Sequence, residues 1–186
     1  TTHMPQTTDR ALIAGIANGD AQALRELYKM HGERVYNTAL TYLQNATDAE
    51  EVSQDVFTKV WQSAAGFKAE SQVTTWLYRI VVNTSLTALK KRQRRSIFGT
   101  IQASHDPPDF HHPEAKMEER EENKALFSAI YRLPDRQKTA FVLSYVEELP
   151  RQQVAEVMGL SLKAIEGLLM RAKKRLRITL RPAFPN

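Results

Sequence analysis

The most chemically distinctive residues in this sequence are two dense runs of cations. Lys90-Lys91-Arg92-Gln93-Arg94-Arg95 places five cations in six residues, and Arg171-Ala172-Lys173-Lys174-Arg175-Leu176-Arg177 places five in seven. Lysine and arginine neutralise phosphates and hold the backbone of a nucleic acid. A solvated helix face is the ordinary explanation of such a run. The second run, however, follows a helix-turn-helix pattern at residues 149–166, whose second helix would lie in the DNA major groove, and this favours phosphate binding there.

Aromatic and amide side chains precede the first cation run. Phe67, Trp76 and Tyr78 offer ring faces on which an unstacked base could rest, and Asn83 could hydrogen-bond to a base edge. Taken alone, each ring is more often part of a hydrophobic core. Trp76 and Tyr78 do not both fit an inward orientation comfortably, so the segment is a candidate base-binding site.

A third set of side chains is acidic or polar and lies near the start of a helix expected at residues 48–65. Asp48 and Glu51 fit a capping box, in which each side chain bonds a backbone N–H of the other. Asp55 lies beyond the range of the helix dipole. An acidic face on a basic protein predicts a protein partner with a basic surface. The set consists of Asp48, Glu51, Gln54 and Asp55.

Residues 149–166 have the pattern of a helix-turn-helix. Gly159 suits the sharp turn because it adopts positive φ without a Cβ penalty, and Ser161 can cap the second helix. In such a unit the N-terminal part of the second helix lies in the major groove. A plain helical hairpin is the structural alternative. We expect the second helix to bury an apolar row comprising Leu162, Ile165, Leu169, Ala172 and Leu176.

The remaining elements that position these residues are also predicted to be helical. Asn18-Gly19 ends a first helix, Asp20 caps a second, Gln72–Arg92 and Glu118–Tyr131 are helical, and Pro134 opens another helix. Strand-like alternation of useful length is absent. The predicted fold class is therefore all-α, with two small helical domains joined by an extended linker.

Charge is divided unevenly along the 186 residues, whose net charge is +5. Residues 1–95 carry 12 basic and 9 acidic side chains, residues 96–121 carry 2 and 6, and residues 122–186 carry 12 and 6. Three prolines at positions 107, 108 and 113 exclude a helix interior there. We therefore expect two domains, at residues 5–95 and 118–186, joined by a flexible acidic linker at residues 96–117. Residues 1–4 are expected to be a cloning remnant with the start of the natural chain.

Composition excludes several classes of protein. The chain has no cysteine, which excludes disulfide scaffolds, cysteine zinc sites and thiol nucleophiles. The apolar runs are shorter than a membrane span, and no signal segment opens the chain, so we expect a cytoplasmic protein without membrane contact of its own. His111-His112-Pro113-Glu114 is a weak candidate for a metal ligand set. An enzyme is accordingly the weakest hypothesis, and we expect no cofactor, no metal and no catalytic residue.

Several motifs together resemble the bacterial extracytoplasmic-function sigma factors of RNA polymerase. Residues 19–24, 48–57 and 74–84 resemble sigma region 2, and Leu133-Pro134-Asp135-Arg136-Gln137 with the helix-turn-helix resembles sigma region 4. The resemblance implies a two-domain, non-enzymatic transcription factor that binds core RNA polymerase and promoter DNA. It also implies control by an anti-sigma factor.

The resemblance assigns a role to each set of side chains. The acidic face would bind core polymerase. Region 2 would read the −10 element and hold a flipped base, through Phe67, Lys68, Thr75, Trp76, Arg79, Asn83, Lys90, Lys91 and Arg92. Region 4 would read the −35 element through Arg151, Gln152, Ser161, Lys163, Ala164, Glu166, Gly167, Arg171 and Lys174.

The recognition helix departs from the family pattern. Many members carry a basic residue, serine and arginine where this chain has Glu166, Gly167 and Leu168. Reading of DNA shape and phosphate clamping therefore take a larger share of recognition than base contacts. The alternative hypothesis is a helix-turn-helix regulator that acts without core polymerase. It leaves the acidic helix and residues 76–83 without a role.

Overall fold

A computed structural model describes residues 6–68, 70–97 and 117–181. These residues form helices and their connections, and no strand occurs in the described ranges. The all-α prediction is confirmed. The helices are α1 (Gln6–Ala17), α2 (Ala21–Leu43), α3 (Ala46–Ser63), α4 (Val73–Ile97), α5 (Met117–Tyr131), α6 (Asp135–Phe141), α7 (Arg151–Met158) and α8 (Leu162–Leu180), with a 3₁₀ turn at Ala64–Gly66 and a π-helical turn at Val142–Val146.

Helices α1 to α4 pack into the first module, in which α2, α3 and α4 contact one another and α1 lies against α2. Its centre consists of fully buried side chains such as Leu27, Val56 and Leu89. A buried polar pair also joins α1 to α2, because His31 Nε2 lies 3.1 Å from Asp9 Oδ1. Within this module α3 and α4 lie side by side.

The predicted start of α3 is wrong. Asn45, and not Asp48, is the N-cap, and its side chain accepts a hydrogen bond from the Asp48 backbone N–H at 2.9 Å. Asp48 therefore lies inside the first turn, and no capping box with Glu51 forms. By contrast, the predicted cap at Asp20 is present, since its carboxylate accepts from the backbone N–H groups of Gln22 and Ala23.

Helices α5 to α8 form the second module, with α5, α6 and α7 all contacting α8. Gly159 has φ +62° between α7 and α8, and the Ser161 hydroxyl accepts from the Ala164 backbone N–H at 3.2 Å. Both features agree with the predicted helix-turn-helix. One predicted core residue is wrong, because Leu162, the first residue of α8, is 43% exposed, whereas Leu168 is buried.

The two modules also contact each other, through α4 against α7 and α2 against α5. The expected linker is shortened at its ends, since α4 continues to Ile97 and α5 begins at Met117. The rest of that linker, the His111-His112 pair and the predicted start segment at 1–4 lie outside the described residues. No helix within the described ranges is long and apolar enough to cross a membrane.

Candidate nucleic-acid and polymerase interfaces

The acidic face predicted on α3 is at the surface. Glu51, Gln54 and Asp55 are exposed, and Asp48 is partly exposed one turn earlier. The acidic members of the set line a groove between α3 and α4, whose opposite wall carries cations. That wall contains Lys91, Arg92 and Arg95. The groove thus presents three carboxylates and Lys59 along α3, and three cations along α4.

Arg92, which the sequence assigns to the −10 set, also lines this groove. Its Nη1 donates to Asp48 Oδ2 at 3.1 Å and to the Leu43 carbonyl at 3.0 Å. These two bonds occupy the Nη1 donors and fix the orientation of the guanidinium, whose other N–H groups are not used by them. The structure therefore places Arg92 in a tie between α4 and the start of α3, while Lys90 and Lys91 remain exposed.

The base-binding residues predicted on α4 fall into an exposed row and a buried pair. Trp76, Arg79, Asn83 and Lys90 follow helical spacing along one side of α4. Trp76 is half-buried against the ring of Phe67, with ring centroids 5.2 Å apart. Asn83 and Lys90 are exposed, as is Lys68 in the preceding loop.

The buried pair corrects two expectations about this segment. Tyr78 is 4% exposed, so it is a core residue and not a stacking platform. Thr75 is fully buried, and its hydroxyl accepts from the Gln153 side chain of α7 at 3.3 Å. Thr75 is therefore unavailable to DNA in this arrangement.

Arg79 is also engaged by the second module. Its Nε donates to the Glu156 carbonyl oxygen of α7 at 3.1 Å. Two of the residues predicted to contact the −10 element, Thr75 and Arg79, thus contact α7 in this structure, and Arg79 remains exposed.

The predicted −35 residues lie at the start and along the outer side of α8. Lys163, Gly167, Arg171 and Lys174 recur at spacings of four, four and three residues, which places them on one face. The lysines, Arg171 and Glu166 are exposed, whereas Ala164 and Gly167 are half-buried. Arg151, Gln152 and Ser161 are exposed at the N-terminal ends of α7 and α8, although the Ser161 hydroxyl oxygen serves the cap.

Gly167 has a specific relation to this basic face. A Cβ built on it would lie 3.4 Å from Arg171 Nη1. The guanidinium of Arg171 therefore folds back over the position where a larger side chain would stand. Leu168 is buried, so of the three positions that depart from the family pattern only Glu166 is fully presented to solvent.

Tyr145 is a functional candidate that sequence reasoning missed. It is 38% exposed, Arg151 Nη2 donates to its hydroxyl at 3.1 Å, and Lys173 Nζ lies 4.6 Å from its ring centroid. Hydrogen bonding from Lys173, aided by Arg151, lowers the pKa of the Tyr145 hydroxyl. Neither cation forms a salt bridge with a described carboxylate, so the cluster is a compact positive spot beside α8.

Glu147 was also missed, and its contacts cross between the modules. Its carboxylate accepts from the Thr38 hydroxyl of α2 at 2.7 Å and from the Tyr78 hydroxyl of α4 at 2.8 Å. Burial, together with the adjacent Glu147 carboxylate, raises the pKa of Tyr78 above its ordinary value, which keeps the phenol protonated as a donor. The partners are 109 and 69 residues away in sequence, so no local pattern indicated the contact.

The comparisons with known proteins identify both modules. A model of sigma-70 region 2 matches residues 27–95, and a model of sigma-70 region 4 matches residues 124–176. The chain is 30% identical over 185 residues to the ECF RNA polymerase sigma-E factor of Haemophilus influenzae, covering 95% of this chain and 97% of that protein. It is 28% identical to the RNA polymerase sigma factor CnrH of Cupriavidus metallidurans, over 92% of this chain and 94% of that one.

A solved structure agrees with these matches. The structure of CnrH in complex with the cytosolic domain of CnrY superposes with a TM-score of 0.67 at 25% identity, covering 94% of this chain and 98% of that chain. Two matched regions in the expected order, and a relative aligned over nearly its whole length, fit the two-module architecture described above. This chain belongs to the extracytoplasmic-function family of RNA polymerase sigma factors.

Proposed function

We propose that this sigma factor divides promoter recognition between its two modules. The first module, residues 5–95, binds core polymerase and the −10 element, and the second, residues 118–186, binds the −35 element. The single observation that carries the proposal is the exposed row on α4, where Asn83 follows the Phe67–Trp76 ring pair along one side of the helix. A base flipped from the DNA strand gains stacking energy on an aromatic side chain and a hydrogen bond from an amide.

The polymerase contact is assigned to the groove between α3 and α4. Its exposed carboxylates would attract a partner with a basic surface and fix the position in which the two surfaces bind. Asp48 has a second role in this assignment, since its bond with Arg92 holds the acidic wall against α4. The chain works in the cytoplasm, where core polymerase is found, and carries out no catalysis of its own.

The −35 contact is assigned to α8 and its flanks. Lys163, Arg171 and Lys174 project from one side, and the Tyr145 cluster with Arg151 and Lys173 projects beside it. Each phosphate neutralised adds about 0.9 to the slope of log affinity against log salt concentration. Glu166 stands among these cations and would accept a hydrogen bond from a cytosine amino group.

Control by an anti-sigma factor is part of the proposal. The matched CnrH structure is a complex with the cytosolic domain of CnrY, and this chain resembles CnrH over most of its length. A protein inhibitor would have to cover the acidic groove or the DNA faces of both modules. Recovery of the native protein without a stoichiometric partner under every growth condition would contradict this part.

The test of the proposed function is initiation in a purified system. Transcript start sites mapped after overexpression give the promoter elements, and core polymerase with the purified chain should then initiate at those sites. Asn83→Ala should reduce initiation roughly tenfold, because one good base contact is worth about 1–3 kcal/mol. Asn37→Ala, which removes an exposed amide from α2, is the matched control and should initiate normally.

Two results would overturn the proposal. A chain that binds duplex DNA tightly but never co-elutes with core polymerase is a regulator that acts without polymerase. Equal initiation by Asn83→Ala and the parent chain would remove Asn83 from base recognition.

A further inference from the structure

The outer side of α8 carries two side chains that phosphate binding does not explain, a carboxylate and a thioether. Glu166 is exposed, and Met170, at 68% exposure, is the most exposed large hydrophobic residue in the described ranges. We propose that Met170 contacts the methyl group of a thymine in the −35 element, within about two base pairs of a cytosine whose amino group bonds Glu166. This inference rests on the assignment of α8 to the −35 element and names the bases that α8 reads.

The packing of α8 fixes which of its sides faces outward. Its inner side contacts α5, α6 and α7. Three residues of that side are at most 2% exposed: Ile165, Leu169 and Ala172. Lys163, Glu166, Met170 and Lys174 follow one another at spacings of three, four and four residues, so they share the outer side. The carboxylate and the thioether therefore stand between two lysines, on the side that is free to enter a DNA groove.

An exposed carboxylate on a DNA-binding face needs a hydrogen-bond donor, because it repels phosphates. The Glu166 carboxylate forms no ion pair within the described ranges, although Lys163 lies one turn earlier. In the major groove cytosine offers only its amino donor, whereas adenine offers an amino donor beside the N7 acceptor. That acceptor would repel the second carboxylate oxygen. Glu166 therefore favours cytosine over adenine.

Met170 follows Glu166 by one helical turn, which separates the two residues by about 6 Å along α8. Successive bases of a strand lie about 3.4 Å apart, so the two side chains reach base pairs at most about two steps apart. The C5-methyl group of thymine is the apolar group that the major groove presents, and apolar side chains contact it. Methionine suits this contact because its unbranched, polarizable chain adapts to the shape of its partner.

The surroundings of Met170 favour DNA over a protein partner. Glu166 and Gly167 precede it by four and three residues, and Lys173 and Lys174 follow it by three and four. None of these neighbours extends an apolar patch, and lysine and glutamate are depleted in protein–protein interfaces. A single apolar side chain beside lysines fits instead a polyanion that presents isolated methyl groups.

The decisive variants are Met170→Ala, which shortens the side chain, and Met170→Gln, which keeps its length but makes its end polar. The position is exposed, so both variants should fold. Ile178→Ala is the matched control, because it removes a 63% exposed apolar side chain two turns later on the same helix. Glu166→Gln tests the carboxylate, and Glu148→Gln makes the same charge change at an exposed position outside α8.

Binding is measured with the full chain, core polymerase and fluorescent promoter duplexes that carry the mapped −35 element. Each thymine of that element is replaced in turn by deoxyuridine, which removes only the methyl group. At one thymine the parent should lose affinity about fourfold, as expected for one buried methyl group. Met170→Ala and Met170→Gln should lose nothing further from the same replacement, whereas Ile178→Ala should show the parental loss.

Each cytosine of the element is then replaced by adenine, with the matching change in the other strand. Within about two base pairs of the thymine identified above, the parent should prefer cytosine roughly tenfold. Glu166→Gln should prefer adenine at that position, because an amide can bond both the amino group and N7 of adenine. Glu148→Gln should keep the parental preference.

The outcomes separate this inference from the function on which it rests. A parent that binds thymine and deoxyuridine duplexes equally at every position, or a loss that persists in Met170→Ala, overturns the methyl contact. A parent without preference for cytosine overturns the role of Glu166. Weaker binding of Met170→Ala to core polymerase without DNA would assign Met170 to a protein surface instead. If a scrambled −35 element is bound as tightly as the native one, the −35 assignment itself fails.

Discussion

At the scale of single residues, buried polar groups in this protein differ in how well they are compensated. Glu147 has two donors, and Asp9 and His31 have each other. Lys138 is less well compensated, since it is 2% exposed, its ammonium lies 4.9 Å from the Tyr131 ring centroid, and it forms no salt bridge with a described carboxylate. Burial lowers the pKa of Lys138 below its usual 10.5, although Asp135 acts in the opposite direction.

Lys138→Met should therefore stabilise the protein. A lowered pKa means that the folded state disfavours the charged form, so methionine removes a cost while it keeps the unbranched stem and its packing. We expect the free energy of unfolding at pH 7, measured by denaturant titration, to increase. Lys124→Met, at an exposed position of α5, should give no gain.

The lowered pKa of Lys138 also makes the stability of the protein depend on pH. Between the lowered folded pKa and 10.5 the unfolded chain binds more protons, so the stability of the parent rises with pH through that interval. The stability of the Lys138→Met variant should not show this increase with pH. A variant less stable than the parent at pH 7 would show that the contact between the ammonium and the Tyr131 ring outweighs desolvation.

At the scale of elements, the helix-turn-helix contains two glycines with opposite requirements. Gly159 ends α7 with φ +62°, a region that other residues enter only with strain. Gly167 lies inside α8, where glycine costs backbone entropy and gives no conformational benefit. The same substitution at these two positions should therefore have opposite effects.

Gly167→Ala should raise the free energy of unfolding by about 0.5–1 kcal/mol. The added Cβ would meet Arg171 Nη1 at 3.4 Å, an ordinary contact with the end of a flexible side chain. Gly159→Ala should lower stability by about 1–2 kcal/mol, although nothing lies within 4 Å of the added atom. Thermal unfolding of both variants tests the pair, and two changes of the same sign would contradict the argument.

Elements were predictable from sequence where their determinants are local. Asp20, Gly159 and Ser161 take the positions that their spacing predicted, because a cap or a turn depends on a few neighbouring residues. The start of α3 was not predictable in this way, because Asn45 and Asp48 are both good N-cap residues and only the packed structure selects Asn45. The candidate site divides in the same way. The exposure of residues such as Asn83 follows from helical periodicity, whereas the hydrogen bond between Gln153 and Thr75 joins residues 78 positions apart.

At the scale of the whole molecule, the modest net charge of +5 conceals surfaces of opposite sign. The α3 side of the groove is acidic, whereas the outer side of α8 and the Tyr145 cluster are basic. Such a separation suits a protein that must bind a basic protein surface and a polyanion together without the two binding sites interfering. The charge sets on the two modules should therefore be separable by mutation.

Reversing the acidic face tests that separation. Asp55→Lys should weaken binding to core polymerase at least tenfold, because it replaces an attraction with a repulsion at the interface, and the loss should be larger at low salt. Affinity for a −35 duplex should not fall, since α8 is untouched and the added cation raises net charge.

Glu50→Lys is the control, because it makes the same charge reversal at an exposed position of α3 that does not line the groove. It should leave polymerase binding within about twofold of the parent, as expected for an isolated surface charge. Equal losses in both variants would assign the effect to general repulsion, and the groove would then not be the polymerase-binding surface.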